Sequence, residues 1–446
     1  MDQISTQPMA MTGQDILALV RDLFPICRSL TGDGVRRTLA RLAEICPLEV
    51  TETASGTPVF DWVVPPEWNV RGATIRTAAG ETVVDFADSN LHLVSYSTPV
   101  RQRMSLTALR PHLHSLPEKP GLIPYRTAYY KPDWGFCLEH RRLAALAEGE
   151  YDVEIDTTLA PGHLTYGECF IPGASDEEIL ISAHVCHPSL ANDNLSSVTV
   201  AAFLGRALAG RRLRHGCRIL FVPSTIGTLT WLARNEARLG RIKAGLVLSC
   251  IGDAHAFQYK RTVGGAALID RVMGIVFRDH HQDASIIDFF PYGYDERQYN
   301  APGFRLPVGN LCRSTWGEFP QYHTSADNPQ LLSAEALEGS LDLLLQVIET
   351  IEADRTYVNL SPKGEPQLGR RGLYGAIGGA QSPRDFQLAL LWLLNQSDGT
   401  RSLLDIAERS DMPFALLAQA AEALEENGLI AAVEADQGDR QRHASD

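Results

Sequence analysis

The sequence predicts an α/β protein built on a parallel-rich sheet with helices on both faces. Three apolar runs have the length of buried strands, at residues 179–183, 218–223 and 245–250. Helical patterns follow the first two runs, at residues 195–208 and 228–239. Apolar runs of this kind are typical of parallel strands buried on both faces, and their alternation with helices gives a three-layer α/β/α core. With 446 residues and 44% hydrophobic content, the chain can form two or three domains.

In the first part of the chain, the sequence pattern changes from helical to strand-like near residue 58. Residues 16–24 and 34–43 have helical patterns, separated by Arg-Ser-Leu-Thr-Gly-Asp-Gly at 28–34, which is either a cap and turn or a functional loop. Short alternating strands between turn residues then follow, at residues 59–64, 73–76, 83–86 and 91–96, and predict a small β domain. We assign residues 1–55 and 125–355 to the α/β core and residues 56–124 to an inserted small β domain.

The last part of the chain predicts a separate helical module. An amphipathic helix at 334–351 closes the core, and the Gly-, Pro- and Arg-rich residues 359–379 form a linker. Three short helices follow, and their pattern is similar to that of a winged helix, so residues 356–446 are assigned to a linker and a C-terminal winged-helix domain. These helices carry few basic residues, whereas a helix that contacts phosphates should not be acidic. We therefore expect a role in packing or homo-oligomerisation rather than nucleic-acid binding.

Composition and charge exclude several partners. The net charge is −14 and no Lys/Arg block occurs, which argues against nucleic acid and anionic membranes. No run approaches the roughly 20 apolar residues that span a bilayer, and the first residues lack the features of a signal peptide. We expect a cytoplasmic protein. The eight cysteines lack paired zinc-finger spacing, so reduced thiols are expected.

A histidine and an aspartate stand together after the first buried strand. The strand ends on His184, and Asp193 follows in the same strand-to-helix loop. The carboxyl edge of an open α/β sheet is where ligands bind. Imidazole and carboxylate are zinc ligands, so this loop predicts a metal site. The alternative is a polar loop with a capping aspartate and a solvent-facing histidine.

These residues also carry a resemblance to a known family. Ala-His at 183–184 and Asn-Asp-Asn-Leu-Ser at 192–196 resemble the metal-ligand motifs of the M28-type zinc aminopeptidases, in which the histidine binds one metal and the aspartate bridges two. The longer run Ser-Ala-His-Val-Cys-His-Pro-Ser-Leu-Ala-Asn-Asp-Asn-Leu-Ser is similar to a bacterial subfamily of uncharacterised aminopeptidase-like proteins, often associated with polysaccharide or secondary-metabolite loci. The resemblance implies a zinc-exopeptidase-like core and a winged helix.

The same resemblance suggests further metal ligands. Within Glu-Phe-Pro-Gln-Tyr-His-Thr-Ser at 318–325, His323 matches the last metal histidine of the family, although it could instead cap or pack against a helix. Asp253 resembles the terminal carboxylate ligand of the metal held by His184. A strict alignment of the strand places Cys250 there instead, and a thiolate also binds zinc, so both remain open.

The chain departs from the family at the general base. Related sequences have Pro-Glu-Thr-Ile-Gly where this chain has Pro-Ser-Thr-Ile-Gly at 223–227, so the base glutamate is replaced by Ser224. Losing a positioned base commonly costs ~10²–10⁴-fold in rate. A second metal-binding glutamate of the two-zinc peptidases is replaced by Thr225. The resemblance therefore implies one zinc ion rather than two.

Other residues could supply the missing base and hold the substrate. Asp295, Glu296 and Arg297 form the Asp-Glu-Arg signature of the subfamily, and Glu318 precedes His323. Glu296 and Glu318 are base candidates. Arg297, with Asp295 and Tyr322, is a candidate for substrate binding, since a guanidinium can grip a carboxylate. The alternative for Glu296 and Arg297 is an ion pair that fixes a loop.

Two function classes remain from the sequence, with a weaker third. The first is a metal-dependent aminopeptidase-like hydrolase that cleaves an amide bond of a small peptide-like or aminoacyl substrate in a biosynthetic pathway. The second keeps the fold but catalyses another reaction on a biosynthetic intermediate, or only binds it. The third makes the winged helix a ligand-sensing regulator, against which its acidic helices argue.

Overall fold

The computed structural model describes residues 11–373 and 383–433. One compact unit comprises residues through Asp270 together with Asp283–Leu344, and the other comprises Arg271–Gln282 together with residues from Leu345 onward. The strands are β1 (Leu48–Ala54), β2 (Pro58–Val59), β3 (Trp62–Val63), β4 (Glu67–Thr77), β5 (Thr82–Asp85), β6 (Val100–Ser105), β7 (Leu113–His114), β8 (Phe136–Cys137), β9 (Glu150–Ala160), β10 (His163–Ile171), β11 (Glu178–His184), β12 (Gly216–Val222), β13 (Ile242–Leu248), β14 (Gln258–Lys260), β15 (Ser285–Ile287), β16 (Val308–Cys312), β17 (Thr356–Asn359), β18 (Asp398–Ser402) and β19 (Ile430–Ala432). The helices are α1 (Gly13–Leu23), α2 (Asp33–Leu42), α3 (Leu106–Leu109), α4 (His140–Ala144), α5 (Ser197–Leu208), α6 (Ile226–Asn235), α7 (Leu268–His280), α8 (Glu296–Tyr299), α9 (Ala334–Ala353), α10 (Pro383–Gln396), α11 (Leu403–Ser410) and α12 (Phe414–Glu426).

The large sheet of the first unit confirms the predicted α/β core. In the described part of the chain it has the order β1-β10-β12-β11-β13-β16-β14-β15. The central strand β11 lies parallel to β12 and β13, and β16 continues the parallel set. Strands β1 and β10 are antiparallel to their neighbours, whereas β14 is antiparallel to β16 and parallel to β15. Every residue of β11 and β12 is buried, so both faces of the sheet are covered.

A smaller antiparallel sheet in the same unit has the order β5-β4-β9-β6. The predicted strands at 73–76 and 83–86 lie in β4 and β5, and β9 completes the sheet from beyond the predicted insert. The predicted strand at 91–96 is wrong, because a 3-10 turn occupies Asn90–His92. The Ser89 side chain accepts a hydrogen bond from Leu91 N and caps this turn. The domain boundaries at 55/56 and 124/125 stay predictions.

The second unit contains the predicted winged helix. Helices α10, α11 and α12 accompany an antiparallel sheet of order β18-β17-β19. Ser402 and Asp405 form a capping box at the start of α11, which fixes where this helix begins. Part of the predicted linker, residues 374–379, lies outside the described residues. None of the helices within residues 11–373 and 383–433 combines the length and the hydropathy needed to cross a bilayer.

Candidate metal centre

The candidate site lies at the carboxyl edge of the large sheet. His184 is the last residue of β11, and the parallel strands β12 and β13 flank it. After a loop, the irregular turn Ala191–Ser196 leads into α5, and Asp193 leaves helical φ/ψ within that turn. The loop therefore carries Asp193 back toward the end of the strand on which His184 stands.

Among the described residues, three imidazole rings face the carboxylate of Asp193. Nε2 of His184 lies 2.9 Å from Asp193 Oδ1. Nε2 of His323 and Nε2 of His187 lie 3.0 Å and 3.8 Å from Asp193 Oδ2. The Asp193 side chain is 0% exposed, whereas the His323 side chain keeps 32% of its surface exposed. The cluster is therefore open to solvent on the side of His323.

The protonation states of the cluster suit metal binding. Burial acts to raise the pKa of Asp193, yet the charges and hydrogen bonds of the surrounding imidazoles hold that pKa well below its usual range. Burial lowers the pKa of His187 to about 3, so its ring is neutral at physiological pH. Neutral imidazole and ionised carboxylate are the forms that bind zinc.

The spacing of the donor atoms also fits a zinc ion. Ligand atoms at about 2.1 Å from a tetrahedral zinc are about 3.4 Å from one another. The contacts of Asp193 with the three imidazoles, at 2.9, 3.0 and 3.8 Å, bracket that value. Ligand atoms of His184, His187 and Asp193 all lie within 4.8 Å of one another.

One contact of His184, with the side chain of Asn194, favours the tautomer of the ring that does not bind a metal through Nε2. Asn194 Oδ1 accepts a hydrogen bond from Cys250 N at 3.2 Å, and Asn194 Nδ2 donates to Leu248 O at 3.1 Å. These contacts fix the amide, so Nδ2 faces Nδ1 of His184 at 3.0 Å. An amide nitrogen only donates, which assigns the proton of neutral His184 to Nε2. A metal-binding histidine usually donates from its second nitrogen to an acceptor instead.

Asp327 locks the loop that carries Asp193. Its two carboxylate oxygens accept hydrogen bonds from Asn192 N at 2.6 Å and from Asp193 N at 3.0 Å, and its carbonyl accepts from Ala191 N at 3.1 Å. Burial raises the pKa of Asp327 to about 7, against the lowering effect of these N–H groups. The segment after His323 is thereby tied to the loop after β11, which holds both parts of the cluster in register.

The two alternatives for a further ligand lie beside the cluster. Asp253 Oδ2 accepts from Asn192 Nδ2 at 2.5 Å, and Asp253 Oδ1 accepts from His255 N at 2.9 Å. Asp253 thus faces the side-chain amide of Asn192 and His255. Cys250 is buried, and its Sγ lies 3.6 Å from the hydroxyl of Tyr294. Both ligand assignments stay predictions.

Tyrosine rings line the imidazole cluster. Tyr294 stacks on His184 with centroids 4.8 Å apart, and Tyr322 stacks on His323 with centroids 3.9 Å apart. Tyr125 lies edge-on to His323 at 5.1 Å. These contacts restrict rotation of the imidazoles. Tyr322, the predicted substrate contact, therefore lies next to the open side of the cluster.

A buried carboxylate stands behind the serine that replaces the base glutamate. Ser224 Oγ donates to Asp295 Oδ1 at 3.0 Å, and Thr228 Oγ1 donates to Asp295 Oδ2 at 2.8 Å. Burial raises the pKa of Asp295 above its ordinary value, while the electrostatic interaction with His184 and the hydrogen bonds from these hydroxyls oppose the rise. Cys186 Sγ contacts Ser224 O at 3.9 Å, which connects this pair to the loop after β11.

The other predicted catalytic and binding residues are placed differently. Glu296 is 0% exposed and pairs with Lys260 Nζ at 2.6 Å, not with Arg297. Lys260 Nζ also donates to Tyr292 O at 2.8 Å. Arg297 and Glu318 are both exposed. Asp295, which the sequence predicted as a substrate-binding residue, is the carboxylate that accepts a hydrogen bond from Ser224.

His187 is the member of the cluster that the sequence analysis missed. It lies three residues after His184 in the loop after β11, and a second histidine in a metal loop was a usable signal. Its side chain is 13% exposed. The other missed residue, Asp327, follows His323 within Thr-Ser-Ala-Asp, but nothing in that pattern shows which backbone groups it accepts from.

Comparison with known proteins places this geometry in context. A protein of Clostridium acetobutylicum, provisionally named as a polysaccharide biosynthesis protein with an aminopeptidase-like domain, is 49% identical over 418 residues, covering 94% of this chain and 96% of the relative. A crystal structure of a provisionally named peptidase from Clostridium acetobutylicum is 47% identical, covers 94% of this chain and 96% of that chain, and has a TM-score of 0.90.

A more distant structure shows the fold alone. The zinc aminopeptidase BSAP of Bacillus subtilis is 12% identical, covers 77% of this chain and 96% of that chain, and has a TM-score of 0.56. The family model of a winged helix-turn-helix matches residues 355–432. The family model described as domain of unknown function DUF4910 matches residues 17–354. The chain therefore belongs to the DUF4910 family and combines an aminopeptidase-like fold with a C-terminal winged helix.

Proposed function

We propose that the chain is a metal-dependent, aminopeptidase-like hydrolase that acts on an amide bond of a small peptide-like or aminoacyl substrate. The observation that carries the proposal is the convergence of His184, His187 and His323 on the buried carboxylate of Asp193. Sites of this composition bind zinc in hydrolases. The aminopeptidase-like fold and the name of the Clostridium relative support the same class.

The four residues of the cluster would hold one zinc ion. Bound zinc polarises a carbonyl oxygen and lowers the pKa of a bound water. A single ion agrees with Thr225 at the position where the two-zinc peptidases have a second metal-binding glutamate. The stacked Tyr294 and Tyr322 rings keep two of the imidazoles in place before the substrate arrives.

The residues of the chain itself supply a route for a proton. A serine hydroxyl does not take up a further proton by itself near neutral pH, but Ser224 Oγ donates its own proton in a hydrogen bond to the Asp295 carboxylate at 3.0 Å. Ser224 can accept a proton from the reacting group as it passes its own proton to Asp295. The raised pKa of Asp295 favours that transfer. We therefore place Asp295 ahead of Glu296 and Glu318 as the base, with Tyr322 and Arg297 as candidates for contact with the substrate.

The second candidate function is a descendant of the fold that no longer cleaves peptides. Ser224 in the base position favours it, and so does Asn194 Nδ2 facing His184 Nδ1. Such a protein would catalyse another reaction on a biosynthetic intermediate, or only bind it. The name of the Clostridium relative, which refers to polysaccharide biosynthesis, suggests where that intermediate belongs.

Hydrolysis of aminoacyl anilides by the zinc-loaded full chain tests the two functions. The comparison uses Ser224→Glu, and Ser224→Gln as a control that adds the same bulk without a carboxylate. Activity in the native chain that a chelator removes supports the hydrolase. Activity only in Ser224→Glu supports the second function. A native chain that binds no divalent metal overturns the proposed function.

For the winged helix we propose a structural role. Asp405 and Glu408 of α11 both pair with Arg271, at 2.7 Å, so charges on this helix are used inside its own unit. An acidic helix is poorly suited to phosphates. An electrophoretic shift with genomic fragments, repeated across salt concentrations, should show no specific complex.

A further inference from the structure

Arg28 carries a buried charge that nothing in the described residues neutralises. The residue lies between α1 and α2 and is 1% exposed. Its Nη2 makes no hydrogen bond to any residue that the structure describes. Burial lowers the pKa of Arg28 to about 10, which still leaves the guanidinium protonated at neutral pH. Burying a charge without an oppositely charged partner is strongly unfavourable, so the burial of Arg28 needs a physical reason.

The guanidinium is fixed on the backbone of the loop that carries the metal cluster. Arg28 Nε donates to the carbonyl of His187 at 2.9 Å, and Arg28 Nη1 donates to the carbonyl of Leu23 at 2.7 Å. The arginine is therefore held on the backbone of a residue whose ring faces Asp193.

Among the described residues, no carboxylate pairs with the guanidinium. The two carbonyls satisfy N–H groups but carry no charge. The ionisable groups near Arg28 are the thiols of Cys27 and Cys186. Arg28 is thus a fixed positive charge with one free amino group.

Arg218 shows how the same chain treats an arginine that only supports the fold. Arg218 is also 1% exposed, but its Nε and Nη2 donate to the two oxygens of Glu178 at 2.6 and 2.9 Å. Glu168 also pairs with Arg218. A structural arginine in this protein therefore has carboxylates of its own, and Arg28 has none among the described residues.

We propose that Arg28 is the anion-binding residue of the site and that the ligand carries an oxyanion, a carboxylate or a phosphate, which Nη2 takes up. Guanidinium groups bind both anions through charge-assisted hydrogen bonds. The inference deepens the proposed function, because it narrows the substrate to an anionic peptide-like or aminoacyl compound. It also assigns the binding of a substrate anion to the buried Arg28, a role that the sequence had suggested for Arg297, which is exposed.

Binding of matched acid and amide probes tests the proposal. The full chain, with zinc and after chelation, is titrated calorimetrically with L-alanyl-L-alanine, L-alanyl-L-alaninamide, acetate and inorganic phosphate. The variants are Arg28→Gln and Arg28→Lys. The control is Arg37→Gln, which removes an exposed arginine from α2 nearby in the sequence.

We expect the native chain and Arg37→Gln to bind the acid ~10- to 100-fold more tightly than the amide. Arg28→Gln should lose that preference, and Arg28→Lys should keep part of it. Of acetate and phosphate, the anion whose affinity falls in Arg28→Gln is the type of oxyanion that Arg28 binds. Equal binding of acid and amide by the native chain overturns the proposal, as does failure to bind any of the four probes.

The result separates this proposal from the proposed function. Retention of the acid preference in Arg28→Gln overturns the role of Arg28 even if the chain hydrolyses anilides. A preference that depends on Arg28 supports the role even if no hydrolysis occurs. Should Arg28→Gln fail to fold, the native comparison and Arg28→Lys decide the matter.

Discussion

Nε2 of His323 lies 3.0 Å from Oδ2 of Asp193, although 130 residues separate the two in the sequence. The same carboxylate contacts His184 through its other oxygen at 2.9 Å. One buried anion therefore joins a loop after β11 to a segment that lies far along the chain, ahead of α9. The predictions below follow from this arrangement and from the groups that support it.

Asp193→Asn should abolish metal binding. The amide keeps the shape of the side chain but removes the only negative charge of the cluster, among the described residues that contact the imidazoles. Metal analysis should find close to one zinc per native chain and almost none in the variant. Asp253→Asn is the comparison variant and should keep its zinc, because Asp253 contacts Asn192 and His255 rather than the imidazoles. Equal loss of zinc in Asp253→Asn would add Asp253 to the ligands.

Asn194→Asp should strengthen zinc binding. A carboxylate at this position would accept a proton from His184 Nδ1, which frees Nε2 and makes the imidazole a better ligand; we expect ~10-fold tighter binding. Loss of the hydrogen bond to Leu248 O should lower the free energy of unfolding by about 1 kcal/mol. Competition with a chelator measures the affinity. An affinity unchanged from that of the native chain would contradict the tautomer assigned to His184.

Lys260→Met should destabilise the fold strongly. Glu296 is 0% exposed and would lose its cation, and leaving a buried charge unpaired costs ~3–5 kcal/mol. The double variant Lys260→Met, Glu296→Met should recover much of that loss, because no charge remains buried. Denaturant unfolding of the native chain, both single variants and the double variant measures the coupling. If the loss in the free energy of unfolding of the double variant equals the sum of the losses of the two single variants, Lys260 and Glu296 are not coupled.

Acid should destabilise the metal-free protein through His187. Its pKa is about 3 in the folded chain, below the ordinary 6.5, so the unfolded chain binds the proton more readily between these values. The stability that His187 contributes is complete above pH 6.5 and falls by up to ~1.4 kcal/mol for each pH unit down to about 3.

His187→Gln should therefore flatten the pH dependence of the free energy of unfolding across that window. The matched control is His163→Gln, since the His163 side chain is 49% exposed. Parallel curves for the native chain and His187→Gln, measured after chelation, would show that His187 is not buried as a neutral ring.

The sequence was sufficient for the parts of the fold and the site that depend on local pattern. Apolar runs located β11, β12 and β13, and the end of β11 located His184. The motif after β11 supplied Asp193, and the structure brings His323 to the same carboxylate. The structure brings these three residues together beside the edge where the ends of the parallel strands meet, and their roles as metal ligands stay predictions.

Contacts between distant segments could not be read in the same way. Glu296 pairs with Lys260 of β14, and no periodicity links the two positions. The small sheet takes β9 from beyond the predicted insert, since cross-strand pairing depends on the register of β4 with β9. The hydrogen bonds of Asp327 to the loop after β11 are likewise set by tertiary packing.

The junction of β9 with β10 limits how the small sheet can move. Only two residues, Pro161 and Gly162, separate a strand of the small sheet from a strand of the large one. Glu67 of β4 accepts a hydrogen bond from His163 N at 2.8 Å and also pairs with Arg36 of α2 at 2.7 Å. The two sheets are clamped at this corner, so the small sheet cannot swing as a hinged flap. Cross-links that join β4 to α2 should therefore leave ligand binding at the metal cluster unchanged.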